Sequence, residues 1–400
     1  MEPLAKLELI DEVQRLGLKY QFELEIKDAL NAVYSNTNNG WPYDDDLYAT
    51  ALRFRLFRQH GYHAPEDVFE RFKDEKGEFK ASLCEDVKGM LSMYEASFFG
   101  FEGESNIDEA KIFSTKSLMA LKTSTSGSFG RKIEHALDMP IHWRLNRLEA
   151  RWFIDAYEQE QHMNPTLLQL AKLDFNMLQS IYQKEVRKLA RWDITGIDKL
   201  PDMIKTILLA MYNTTNEIGY WTMKEKGFNI IPYLRKEWAK LCKVYLTEAK
   251  WYHKGYKPRF EEYLDNAKIT MEALDYIDKL PTIMHCCSLI VRLTNDLGTS
   301  LYELARGDNL KAVQCYMNER GVSEEVGRQH INDIVHKTWK TMNEAMVGDY
   351  PFSEPFLSAS PNLARASQFF YHHGDGHGAP GSETKGHLMP LLLQPITVIS

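Results

Sequence analysis

Apolar residues recur along this chain mostly at helical spacing. The opening stretch "MEPLAKLELIDEVQRLGL" carries Leu4, Leu7, Leu9, Ile10 and Val13 in an amphipathic pattern. "LYATALRFRLFRQHGY" predicts a helix that stops at Gly61, and "LCEDVKGMLSMYEASFFGFEG" predicts another that stops at Gly100 to Gly103. "NIDEAKIFSTKSLMALKTS" predicts a helix N-capped by Asn106, with acids in its first turn. "LEARWFIDAYEQEQHMNP" breaks at Asn164-Pro165, and "TLLQLAKLDFNMLQSIYQKEVRKLARW" follows as one long helix. Alternating patterns bounded by hairpin turns are absent, as are tandem repeats and low-complexity tracts. The expectation is an all-α chain of two helical domains, residues 1–163 and 164–400, with helix packed on helix.

One helix departs from the common pattern. "TIMHCCSLIVRL" has almost no polar side and predicts a buried rod, yet the residues that follow, "TNDLGTSLYELARGD", are mixed. A helix turns by about 100° per residue, so positions four apart drift by only about 40° and share a face. Asn295, Thr299 and Glu303 form such a line, with Leu293, Leu297 and Leu301 on roughly the opposite side. An amide oxygen, a hydroxyl and a carboxylate are hard donors that suit Mg²⁺, which keeps several waters and accepts phosphate oxygens. Spacing alone also fits a solvated polar face. Arg292 shifts the balance, because a guanidinium beside a hard-metal line suits a diphosphate.

Composition narrows the choice. The chain has 400 residues, 44% hydrophobic and 12% aromatic, which is ample for packed cores. A net charge of −8 with no basic stripe argues against nucleic acid as a partner. Five cysteines with no C-x-x-C spacing predict reduced, buried thiols, and Cys286-Cys287 in its apolar helix reads as packing. The apolar run "HLMPLLLQPITVIS" is short and interrupted by two prolines, so no membrane span is expected. The start reads directly as an amphipathic helix, with neither signal nor transit peptide, and cytoplasmic location is the expectation. His372, His373, His377 and His387 cluster near the end; a mobile polar lid with Gly374, Gly376 and Gly378 is the plainer reading, and a transition-metal site the alternative.

At this point the chain resembles the plant terpene synthases, most nearly the angiosperm monoterpene synthases. "LYATALRFRLFRQHGY" and "DVFERFKDEKGEFK" are similar to the N-terminal α-domain of that family. "RWDITGIDKLP", "EAKWYHKGYKPRFEEYL" and "GDNLKAVQCYMNERGVSEEVGRQHI" are similar to its catalytic domain. The family's second metal motif, (N/D)Dxx(S/T)xxxE, stands here as Asn295, Asp296, Thr299 and Glu303. The resemblance implies a lyase that uses Mg²⁺, with Mn²⁺ as an alternative, to ionise geranyl diphosphate to a monoterpene. It implies that Asn295, Thr299 and Glu303 hold a metal, that Arg292 binds the diphosphate, and that Tyr371 (or Phe370) and Asp375 belong to a lid. It also implies a monomer, and intact monoterpene synthases of the family are plastid-targeted.

The chain departs from the family in one decisive respect. The first metal motif, DDxxD, is missing; the only adjacent aspartates, Asp44 to Asp46, sit where acids suit a helix start. The family carries an RxR motif and the DDxxD helix between "ARWW" and "RWDITGIDKLP", whereas this chain runs from "LARW" straight into "DITGIDKLP" at Trp192-Asp193. A second join is expected near Ala267-Lys268, where the family has an apolar helix lining the pocket. The tandem-arginine RRx8W motif is absent as well. Arg144, Arg147 and Arg151 in "HWRLNRLEARW" belong to the first domain and read as an ordinary charged helix face, not as RxR. The expected reading is therefore a terpene synthase-type chain whose activity is impaired, with an inactive truncated or splice-variant form as the alternative. Far-ultraviolet circular dichroism should show the double minimum of helix without a dominant strand signal.

Overall fold

The structure is a computed structural model. It describes the chain apart from residues 1, 38–39, 124, 126, 190–214, 217–218, 221, 225–226, 272–281, 306–309, 348–353, 377–380 and 399–400. Among the described residues the architecture is all-α. The first half holds α1 (Pro3–Arg15), α2 (Glu23–Thr37), α3 (Leu47–Gln59), α4 (Val87–Ser97), α5 (Ser105–Lys122), α6 (Gly127–Asp138), α7 (Asn146–Tyr157) and α8 (Pro165–Leu189). The second holds α9 (Ile231–Lys254), α10 (Phe260–Met271), α11 (Thr282–Ala305), α12 (Ala312–Arg320), α13 (Glu324–Ala345), α14 (Glu354–Tyr371) and α15 (Ser382–Leu392).

Local chemistry sets the helix ends. Asp46 accepts from Ala49 N at 3.0 Å and caps α3, so the aspartate run is a helix start, as its position suggests. Asn164 caps α8 by accepting from Thr166 N and Leu167 N. Two expectations need correction. "LCEDVKGMLSMYEASFFGFEG" is not one helix: a 3-10 turn, Ala81–Glu85, ends at Asp86, whose carboxylate accepts from Gly89 N and starts α4 afresh. Asn106 is not the cap of α5. It lies in the first turn, and Glu66 reaches over from a separate 3-10 segment to accept from its N–H at 2.8 Å.

Two apolar cores form among the described residues. The first gathers Leu7, Leu30, Phe54, Phe69 and Ile154, and it extends past 163/164 to take in Leu168, Ala171 and Phe175 of α8. The second gathers Tyr263, Leu264, Ile290, Leu293, Val313, Ile331 and Trp339. The join expected at Trp192-Asp193 lies outside the described residues. The one expected at Ala267-Lys268 falls inside α10, an uninterrupted helix in which Ala267 is fully buried.

Of the arginines of "HWRLNRLEARW", Arg151 lies on an ordinary charged helix face, pairing with the exposed Asp155 four residues on, but the other two do not. Arg144 is buried and pairs with Glu149 at 2.9 Å, and Arg147 reaches Asp174 at 3.2 Å. Glu149 also takes Arg15 at 2.6 Å and His135 at 2.7 Å. Burial opposes its charge, but Arg15, His135 and Arg144 together hold its pKa well below the usual carboxylate range.

The two cores meet at the 3-10 turn Ile141–Trp143. Trp143 stacks on Trp339 with centroids 5.7 Å apart. The buried His142 faces Asn343 Oδ1 at 2.6 Å, while Asn343 Nδ2 donates to the carbonyls of Phe98 and Gly100 at 2.9 and 3.1 Å. Arg365 of α14 donates to the His142 carbonyl at 2.7 Å. A neutral His142 fits this contact, and burial pushes its pKa down to about 3. His336 at the same junction is also held down to about 3, by burial and then by Lys111 and Lys340.

His60 and His135, in the first domain, are likewise lowered, chiefly by burial, to about 3 and about 4. The sign of the linkage follows. The unfolded chain binds a proton on each of these histidines near pH 6.5 and the folded chain does not, so stability falls as pH drops below about 6.5. The midpoint of urea unfolding should decline between pH 7 and pH 5.5, and His142→Gln should make that decline shallower.

Candidate metal and diphosphate site

The polar line on α11 is not a solvated face. Thr299 is only 4% exposed, and Asn295 and Glu303 are half-buried, whereas Leu301 is 56% exposed. The apolar positions earlier in the helix, Ile283, Cys287 and Ile290, are buried in the second core. The thiols of Cys286 and Cys287 are raised to about 11 and about 12 by burial, as expected of packing residues.

Thr299 Oγ1 lies 2.9 Å from Glu303 Oε2 and 3.0 Å from the Asn295 carbonyl, and its hydroxyl donates to them. The Glu303 carboxylate also has Lys311 Nζ at 3.6 Å. A lysine cation therefore balances the acid that the sequence marks as a metal ligand. Opposite this line stands the end of α14. The Tyr371 hydroxyl is hydrogen-bonded to the Asn295 side chain; its pKa is raised, first by burial and further by Asp375 and Glu303. The structure thus brings Asn295, Thr299, Glu303, Tyr371 and Asp375 to one wall.

Gly298 makes that meeting feasible. A Cβ at this position would lie 2.9 Å from both the Gly374 carbonyl oxygen and Tyr371 Cβ, and 3.0 Å from the Tyr371 carbonyl oxygen. The absence of a side chain lets the two helices approach this closely.

Beneath the line is a network whose function the sequence did not reveal. Asp296 is fully buried. Its Oδ2 accepts from Tyr263 Oη at 2.8 Å and from the Ala312 N–H at 3.1 Å. Arg292 Nε lies 3.2 Å from Asp296 Oδ1 and donates to Tyr263 Oη at 3.0 Å. Burial opposes the Arg292 charge most strongly, but Asp296, Tyr263 and Glu248 together outweigh it and the pKa is raised. The Tyr263 phenol is held far above its ordinary value by burial and Asp296, so it remains a donor. One carboxylate thus locks α10, α11 and the start of α12 together. Arg292, expected on a diphosphate, is committed here to Asp296 and Tyr263, with its side chain 12% exposed.

Arg328 of α13 adds a second clamp, donating to the Leu297 carbonyl at 2.8 Å and Ser300 Oγ at 3.0 Å. The i,i+4 spacing of Arg292 and Asp296 was a legible signal for the first network. No signal in the sequence placed Tyr263, Lys311 or Arg328.

Known proteins resemble this chain in sequence and fold. Residues 1–137 match the family "Terpene synthase, N-terminal domain", and residues 184–274 and 267–341 match "Terpene synthase family, metal binding domain". The chain belongs to the plant terpene synthase family. Beta-bisabolene synthase of Santalum austrocaledonicum and (+)-alpha-terpineol synthase of Santalum album are each 44% identical to it over 490 residues, 99% of this chain and 85% of their own. Isoprene synthase from grey poplar leaves, solved with three Mg²⁺ ions and dimethylallyl-S-thiolodiphosphate, is 35% identical with a TM-score of 0.89, covering 99% of this chain and 94% of that one. Limonene synthase with 2-fluorolinalyl diphosphate is 32% identical with a TM-score of 0.91, covering 99% and 91%.

The family includes both monoterpene and sesquiterpene synthases at this level of identity, so membership alone leaves the substrate's length open. The 490 aligned residues exceed the 400 of this chain, so at least 90 positions of the relatives face no residue here (490 less 400).

Asp296→Asn should leave Arg292 buried beside a neutral amide. Breaking a buried pair from one side costs about 3–5 kcal/mol, and urea unfolding should register a loss of that order. Gly298→Ala should cost about 1–3 kcal/mol through overpacking, with a matching fall in thermal midpoint.

Proposed function

We propose that this chain is a terpene synthase-type lyase of terpenoid biosynthesis, acting with Mg²⁺ on geranyl diphosphate to give a monoterpene. The observation that carries the reading is the wall on α11: three hard donors at i, i+4 and i+8, with Tyr371 hydrogen-bonded to the first of them and Asp375 nearby. The ten-carbon choice is in keeping with the 44% identity to an alpha-terpineol synthase and the fold shared with limonene synthase; the equal identity to a beta-bisabolene synthase makes chain length a matter for the assay.

The donor set fits a Mg²⁺ ion. Asn295, Thr299 and Glu303 would hold it; their oxygens are hard, and Glu303 already has Lys311 as a neighbouring cation. When bound, Mg²⁺ neutralises the diphosphate's charge as the carbon–oxygen bond lengthens. The remaining work falls to the chain. Lys311 supplies positive charge to the diphosphate beside Glu303. Arg292 contributes a positive field from below while fixing the α11 wall through Asp296. Thr299 donates to Glu303, which leaves the hydroxyl's lone pairs directed elsewhere for a cation. Tyr371 and Asp375 close the open side and keep water from an allylic cation.

One observation favours a second reading, a chain that binds its substrate but turns it over barely or not at all. No DDxxD stands anywhere in the sequence, and the single aspartate run caps α3. The 490-residue alignments and the two separate matches to the metal-binding family, which meet at residues 267–274, support internal shortening of the second domain.

Losing one preorganised electrostatic group costs about 10²–10³ in rate. Purified chain with Mg²⁺ and geranyl diphosphate should therefore form volatile monoterpene at least about 100-fold more slowly than an intact relative, as read by gas chromatography. Glu303→Gln should abolish what remains and weaken Mg²⁺-dependent binding of a non-hydrolysable geranyl diphosphate analogue in calorimetry. Restoring the segment between Trp192 and Asp193 alone should not recover full rate, because the wall near Ala267-Lys268 must return too. Tight analogue binding indifferent to Glu303→Gln would overturn the assigned site. Binding without product would select the second reading.

A further inference from the structure

A second constellation lies outside the α11 wall, where the end of α14 meets the end of α6. His372 Nε2 is 3.7 Å and His373 Nε2 is 3.6 Å from the same oxygen, Asp138 Oδ1. These ligand atoms all lie within 4.8 Å of one another. The two imidazoles are 4.4 Å apart at 69°, so both offer nitrogen toward the carboxylate without stacking. A tetrahedral ion about 2.0–2.1 Å from each donor would set the donors about 3.4 Å apart, close to what Asp138 and the histidines already show.

The second nitrogen of His373 supplies an independent observation. Its Nδ1 is 3.3 Å from Glu383 Oε2 on α15. A carboxylate on one ring nitrogen fixes the proton there and turns the lone pair of the other outward, an arrangement typical of metal-binding histidines. His387 and Thr384 line the same cavity, of about 80 Å³, leaving room for a water or a further ligand. The Asp138, His372 and His373 side chains are 36–45% exposed, so an ion has a path in.

We propose that Asp138, His372 and His373 form a transition-metal site of the Zn²⁺ class, with Glu383 positioning His373. Two imidazoles and one carboxylate favour Zn²⁺ or Co²⁺ over the hard Mg²⁺ expected on Asn295, Thr299 and Glu303. The site joins the first domain to the segment that carries Tyr371 and Asp375. The Gly374 carbonyl is packed against Gly298, so an ion here would hold the lid segment against the α11 wall. The proposal stands independently of the reading of the α11 wall.

The test uses the untagged full-length chain, stripped with chelator and titrated with Co²⁺. One equivalent should give a visible d–d band that Zn²⁺ displaces and a large excess of Mg²⁺ does not. Asp138→Asn and His373→Ala should each weaken binding at least about tenfold, and Glu383→Gln by about 10–100-fold, while Glu303→Gln leaves the band unchanged. Asp138→Asn and Glu383→Gln preserve shape, so a fold lost in His373→Ala does not decide the outcome. Absence of the band, or a band indifferent to Asp138→Asn, which would indicate only a surface histidine pair, overturns the proposal. So does a band abolished by Glu303→Gln.

Discussion

The second domain is organised around one buried carboxylate. Asp296 has no exposure, and a lone charge there would be untenable. It is made tenable by a guanidinium one turn earlier on its own helix, a phenol from α10 and a main-chain N–H at the start of α12. Each partner comes from a different stretch of chain, so satisfying the charge fixes where those stretches lie. The polar line of Asn295, Thr299 and Glu303 is carried on the same helix and inherits that rigidity. Replacing such an anchor with apolar packing would hold the helices equally well, but would not aim α11 through two directional hydrogen bonds and an ion pair.

The site is built by approach as well as by charge. Gly298 lets the end of α14 lie on α11 at a distance no side chain would permit, and this places Tyr371 on Asn295. Further along α14, Arg365 donates to the His142 carbonyl in the turn that joins the two cores. The same helix therefore touches the line of Asn295, Thr299 and Glu303, the interdomain joint and, just beyond its end, the histidine pair facing Asp138.

The family relationship explains what the chain retains and what it lacks. One helix of hard donors, a lysine beside them and the Tyr371–Asp375 segment opposite are in place. The carboxylates that the family presents from a facing helix are not in the sequence. Charge neutralisation of a diphosphate leaving group works from both sides, and a one-sided arrangement has less of it to offer when the bond stretches.

The sequence determined the all-α class, the long helix after Asn164-Pro165, the helix start at the Asp44–Asp46 run and the line at 295, 299 and 303. These follow from spacing along one helix, which a sequence displays directly. Tertiary structure alone decided the rest. Asp86 split a continuous apolar pattern because its side chain turned back to Gly89 N, and Glu66 took over the capping of α5 from 40 residues away. Arg144 and Arg147 look like surface charges in sequence, but Arg144 is buried and Arg147 half-buried, because Glu149 and Asp174 arrive from other turns to meet them. Tyr263 and Lys311 joined the site only when α10 and α12 packed on α11. A residue's periodicity is fixed by its own helix, whereas its partners are fixed by which helices can approach, and that depends on the packing of the whole chain.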